Sequence, residues 1–214
     1  MKKRIPIVVS VVVALCGGNL SRAGSHLWMF NEVFSNSDGT IQFVEMHCPA
    51  GANLEINLNG KNLTSLATGG DFTVSGLSLS DTSDKFLLFA TAAFAALPSA
   101  PAPDFIIPAG SVPFIGIGVD ETITYCPACG YDTFSFLAGA LPTDGINSLS
   151  FDLSTGTNSP TNFAGDSGSV DAGEPEPPVP AVSTWGLVAL ALLVLAAGSV
   201  VLARSRASGG AHPA

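Results

Sequence analysis

The chain has 214 residues, of which 17 are acidic and 8 basic, giving a formal net charge of −9. That length supports one domain with its own hydrophobic core, and an interior without any basic cluster excludes nucleic acid as an expected partner. Three histidines and four cysteines leave few groups for metal or nucleophilic chemistry.

At the amino terminus Lys2, Lys3 and Arg4 form a basic region, residues 5–16 are apolar, and Ser21-Arg22-Ala23 places small residues at the −3 and −1 positions of a cleavage site. This pattern predicts a signal peptide over residues 1–23, cleaved after Ala23, and hence export. Cys16-Gly17 invites a lipoprotein reading, but Leu15 stands where a small residue is wanted. Past the signal, and leaving aside Arg204 and Arg206 near the other end, Lys61 and Lys85 face all 17 acids. The exported part therefore carries a charge near −15, which favours solubility and permits weak divalent-cation binding.

Residues 24–154 are expected to form the exported domain, and strand signals dominate it. Val33-Phe34 and Ile41-Gln42-Phe43 flank a turn at Asn36-Ser37-Asp38-Gly39. Residues 41–46 and 86–89 are continuously apolar enough for central strands. Leu54, Ile56 and Leu58 alternate with polar residues, which predicts a half-buried strand, and Phe72 with Val74 and then Ile146, Leu149, Phe151 and Leu153 show similar spacing. Only residues 91–97, Ala-rich and stopped by Pro98, look helical. Many short strands punctuated by Gly and Pro predict a mainly β fold, a β-sandwich.

Asn31-Glu32-Val33-Phe34, Phe43-Val44-Glu45-Met46, Gly60-Lys61-Asn62-Leu63 and the strand from Lys85 to Thr91 follow one another in the order seen in lamin-tail-like domains, which this half of the domain resembles. The resemblance implies an immunoglobulin-like sandwich of the kind found on secreted and surface proteins. His47-Cys48 departs from the Tyr-Asn common in that family, and residues 98–113 look like an added loop. Within it Phe105, Ile106 and Ile107 are too apolar for a free loop, so they are either tucked into the sandwich or exposed to a partner. The loop over residues 97–113 is the expected contact surface.

Cys126-Pro127-Ala128-Cys129 is the most distinctive local motif. Proline fits the second position of a turn, and cysteines at its ends are close enough to bridge, so a structural disulfide is expected in an oxidising compartment. Metal binding and redox catalysis remain as alternatives; Gly130 stands where haem attachment needs His. A zinc site would draw on His47, Cys48, Cys126 and Cys129, yet neighbours on a strand face opposite ways, which leaves three ligands at best. No metal and no cofactor are expected. Asn36, Asp38, Gly39 and Glu45 resemble an EF-hand loop, but Phe34 occupies the first ligand position; Asp81 with Asp84, or Asp166 with Asp171, offers looser oxygen sites.

Gly165-Asp166-Ser167-Gly168 resembles the nucleophile motif of trypsin-like proteases, with His47 as the domain's single candidate base, since His26 borders the cleavage site and His212 lies in the tail. Ser169-Val170 departs from that family, and no pocket-forming strands follow. The chain is read as a binding or structural protein rather than an enzyme, with a Ser167 hydrolase or a Cys126/Cys129 redox protein as the competing class.

Residues 155–180 turn to Gly, Ser, Thr, Asn, acids and Pro, the composition of an extended stalk. Residues 181–203 carry no charge, and at about 1.5 Å rise per residue they reach across a bilayer core of about 30 Å. Trp185 suits an interfacial anchor, and Arg204 and Arg206, opening the 204–214 tail, suit the cytoplasmic side. Val179, Pro180, Ser183, Trp185 and Gly186, followed by this helix and the two arginines, resemble the IPTL-CTERM sorting signal of Gram-negative bacteria, a relative of the PEP-CTERM signal. Ala181, Val182 and Thr184 depart from its usual motif. The resemblance implies retention at the membrane and an exosortase-like processing enzyme as a partner. Any further, extracellular partner is not named by the sequence.

Overall fold

Gln42–Cys48 is buried on both of its faces at every position but His47, and it forms the interior strand β2. It lies between β1 (Met29–Ser35) and β5 (Lys85–Thr91), antiparallel to both. The structure is a computed structural model; it describes residues 24–173, then residues 191–193 and 195. The folded unit ends at Gly173. The expected signal peptide and its Ala23, the motif residues Val179 to Gly186, and Arg204 and Arg206 lie outside the described residues. So does most of the expected 181–203 span, of which residues 191–193 and 195 are helical. Among the described residues no helix is long and apolar enough to cross a membrane.

The fold is mainly β, in two sheets. The remaining strands are β3 (Asn62–Ser65), β4 (Asp71–Thr73), β6 (Phe105–Ile107), β7 (Glu121–Tyr125), β8 (Thr133–Phe136), β9 (Asn147–Ser150) and β10 (Thr155–Thr157). One sheet has the order β10-β9-β1-β2-β5-β6 and the other β4-β3-β7-β8. The β1–β2 hairpin turns at Gly39, whose φ of +74° suits glycine. Only β6 runs parallel to its neighbour, reached from β5 through the short helix α1 (Ala92–Ala95), whose N-cap Thr91 accepts the Phe94 amide.

Alternation sorts the side chains. Val44, Met46, Leu87 and Phe89 join Leu63, Ile123, Tyr125 and Phe134 of the other sheet in a common core. Phe43, Leu88 and Ala90 point to the opposite, outer face of the six-stranded sheet. On β1 a register shift between Phe30 and Glu32 changes the phase, so Phe30 and Val33 both face the main core while Phe34 joins the outer cluster. The outer cluster is closed by Phe94 of α1 and by Val170 and Ala172 near the end of the folded unit.

Three local expectations are corrected, and one left open between two alternatives, at Phe105 to Ile107, is decided. Residues 53–59 do not form a strand: Gly24 donates to the Leu54 carbonyl, the Glu55 amide donates to Thr82 Oγ1, and the Trp28 indole donates to the Glu55 carbonyl, so their backbone groups are used by loops and side chains. The 98–113 loop contains the edge strand β6, in which Phe105 and Ile107 are buried and Ile106 is left outward. Of the apolar set at 146–153 only Leu149 is buried, because the β9–β10 turn holds Phe151 and Leu153 in solvent. Residues 155–173, expected as the first part of a stalk, are folded: β10 pairs with β9, and Asn158, Asn162, Val170 and Ala172 are buried. The domain therefore runs 24–173 rather than 24–154.

Candidate functional site

Cys126 and Cys129 form a disulfide across the turn, with their Cα atoms 5.2 Å apart. Pro127 opens the short 3-10 turn Pro127–Cys129, as a residue that needs no amide donor can. Cys126 is buried and Cys129 exposed, and Cys129 borders a shallow depression with His26, Met29, Tyr131 and Asp132. Cys48 remains a free, buried thiol that donates to the Ala52 carbonyl, and burial pushes its pKa up to about 11. It is therefore a packed hydrophobe rather than a nucleophile.

His47 and Cys48 do face opposite ways. The imidazole of His47 stacks on Phe86 at 4.6 Å between ring centres, and its Nε2 lies 3.0 Å from Asp84 Oδ1. Ser167 pairs with Thr161 in a two-residue bridge and is exposed. Among the described residues no contact joins His47 to Ser167. The other candidate acids hold turns: Asp81 accepts the Ser83 amide, Asp166 the Asn162 side chain and Asp171 the Gly173 amide. Among the described residues no group of three or more His, Cys, Asp or Glu is gathered to hold a metal. Glu45 lies in the interior of the six-stranded sheet's outer face rather than at the Asn36–Gly39 turn.

The outer face of the four-stranded sheet is a different surface. Register sets Asp71, Thr64, Thr124 and Thr133 in one rank across β4, β3, β7 and β8, and Thr122 opposite Ser135 in the next. The hydroxyls bond to each other, with Thr122 Oγ1 2.9 Å from Ser135 Oγ. A depression of about 350 Å³ opens on this face, lined by Thr64, Asp71, Thr122, Thr124 and the neighbouring Leu66 and Pro127. Short hydroxyl side chains at alternate positions let this face stay in water, and nothing among the described residues roofs it.

The six-stranded sheet's outer face is roofed by the chain's own segment 158–173, which crosses it through buried carboxylates. Glu32 accepts the Ser159 amide at 2.9 Å and the Ser159 and Ser148 hydroxyls. Glu45, its register partner on β2, accepts the Thr161 amide and the Asn31 side chain. Asp104 accepts the Phe163 amide at 3.0 Å and the Leu88 amide at 2.8 Å. Burial pushes the Glu45 pKa up to about 7, against the pull of its Asn31 and Thr161 donors, and Glu32 adds to the rise. Burial likewise raises Asp104. Further along, Asn158 ties the segment to itself by accepting the Val170 amide and donating to the Val170 carbonyl. Gly168 passes so close to the 97–100 loop that an added Cβ would sit 2.6 Å from the Ser99 carbonyl oxygen. Glu32 and Glu45 fall within the lamin-tail-like pattern, and Glu45 within the EF-hand-like one, but neither pattern gives them this role or includes Asp104; the available signal was an acid, Glu45, in the middle of an apolar run.

No protein-family model matches the chain, and no curated protein and no solved structure matches it.

Proposed function

We propose that this chain is an exported surface protein, anchored in the cell envelope, whose immunoglobulin-like β-sandwich has a structural or binding role in adhesion or a surface matrix. The carrying observation is the bare, hydroxyl-rich outer face of β4-β3-β7-β8, a rigid array of short donors and acceptors with a depression in it. Its side chains are hydroxyls with the single carboxylate Asp71 and no histidine or cysteine among them, which suits recognition better than turnover. A charge near −15 on the exported part disfavours polyanionic partners. The sequence supplies the address: a signal peptide over 1–23 and a sorting signal with Pro180, Trp185 and Gly186 ahead of a helix and Arg204 and Arg206. That signal would make the membrane, and an exosortase-like enzyme, the first partners.

The address is tested by fractionating cells that express the chain with and without residues 179–214. Leu192→Arg should cost about 2.5–3.5 kcal/mol of insertion and shift protein to the soluble fraction; unchanged retention would refute the helical anchor. The role is tested by assaying the domain for hydrolysis and for disulfide exchange. Turnover that disappears with Ser167→Ala or with Cys126→Ser would replace the binding reading by the corresponding enzyme.

A further inference from the structure

The segment 158–173 is held over the six-stranded sheet in an unusual way. Successive alternate amides, Ser159, Thr161 and Phe163, each donate to a different carboxylate, Glu32 on β1, Glu45 on β2 and Asp104 ahead of β6. Two of these acids are direct register partners, so their side chains emerge side by side from one face. Among the described residues neither Glu32 nor Glu45 pairs with a lysine or arginine. Val170 and Ala172 are the segment's buried hydrophobic residues, and the partly buried Phe163 packs against the main core.

We propose that residues 158–173 form a proton-gated strap, seated on the sheet while the buried Glu45 carboxyl, set beside Glu32, holds a proton and released as that proton is lost. The reason is electrostatic. Two ionised carboxylates side by side beneath a dry cover repel, and lifting the cover returns both to water. The other charged groups around this face do not cancel that repulsion. His47 is engaged with Asp84, Lys85 lies 5.8 Å from the Phe163 ring, and Asp104 and Asp166 add acid. Release takes the partly buried Phe163 off the edge of the main core but removes none of that core's buried residues, because Val170 and Ala172 pack on the outer cluster. It uncovers Phe34 and Phe43 and adds a tether that spans roughly 50 Å when extended. The tether's use rests on the membrane anchor proposed above; the gating does not.

The sign follows from linkage. Seating raises the Glu45 pKa from 4.5 to about 7, so seating is strongest in acid and weakens as pH rises through that interval. With Glu45 returned fully to water on release, the seating constant falls about 40-fold between about pH 5 and about pH 7.

Hydrogen exchange of the full-length chain in detergent micelles, corrected for intrinsic rates, reads this directly. The Ser159, Thr161 and Phe163 amides should be less protected than those of β2 and β5 at every pH. Their protection should drop about 40-fold over that range. Glu45→Gln, which keeps an acceptor but no charge, should hold them protected and flatten the pH response. Strap amides as protected as β2 and β5 would overturn the proposal, since the strap would then open only with the whole domain. Protection indifferent to pH, or a drop that persists in Glu45→Gln, would overturn it too. The wild-type series decides the matter even if the variant does not fold, and none of these outcomes depends on whether the chain is membrane-anchored.

Discussion

The two outer faces of the domain are both carried by mostly antiparallel strands but have opposite chemistry. On the six-stranded sheet Phe34, Phe43, Leu88 and Ala90 would lie in water, and α1 and the 158–173 segment cover them. On the four-stranded sheet Asp71, Thr64, Thr124 and Thr133 occupy the equivalent outward positions and stay open. The difference teaches that an outward apolar rank obliges the chain to find a roof, whereas a hydroxyl rank leaves a surface free for other molecules. It also shows that the roof need not be apolar: backbone amides seated on buried carboxylates hold a segment whose composition resembles a linker.

The comparison breaks most severely at Phe43, fully buried, stacked on Phe34 and edge-on to Phe94. Phe43→Ala should cost about 3–5 kcal/mol, read from urea or thermal unfolding. A loss below about 1 kcal/mol would mean the roofed face does not contribute as a core.

The buried acids sharpen it next. Because folding raises the Glu45 pKa above its ordinary 4.5 to about 7, the stability it lends is fully present below pH 4.5 and is lost as pH rises through 7. The total loss should be about 3 kcal/mol, and Glu45→Gln should remove most of that dependence. Unfolding midpoints measured across this range in both proteins check it. A wild type whose stability rises with pH there would reverse the argument.

Of smaller size is the turn at the end of β7. Closing so short a loop restricts the unfolded chain only modestly, so Cys126→Ser should lose about 2 kcal/mol without altering Cys48. Peptide mapping of unreduced protein should find Cys126 and Cys129 on one cross-linked peptide; linkage of Cys48 to either would contradict the structure.

The smallest effect belongs to the bare face. Thr124→Ala should change stability by less than about 0.5 kcal/mol, because the side chain is half exposed and packs against nothing that roofs it. If the face binds a partner, this variant should weaken that binding while leaving the melting temperature in place. A large drop in stability would instead assign the threonines to the fold.

What the sequence determined by itself was local. Continuous apolar runs marked β2 and β5, the Asn-Ser-Asp-Gly stretch marked the hairpin, an Ala-rich stretch before Pro98 marked α1, and Cys-Pro-Ala-Cys marked its own bridge. Each depends on neighbours within a few residues, where propensity, turn chemistry and spacing act directly. Tertiary structure decided the rest. The alternation of Leu54, Ile56 and Leu58 is a strand pattern, but its backbone groups were taken by Gly24, Trp28 and Thr82. Phe105 and Ile107 found their place only because β5 offered a free edge. The 155–173 segment reads as solvated linker in any local window, since its partners, Glu32, Glu45 and Asp104, lie more than fifty residues away in sequence. Burial of a polar segment is decided by who meets its amides, and that is a property of the assembled sheet.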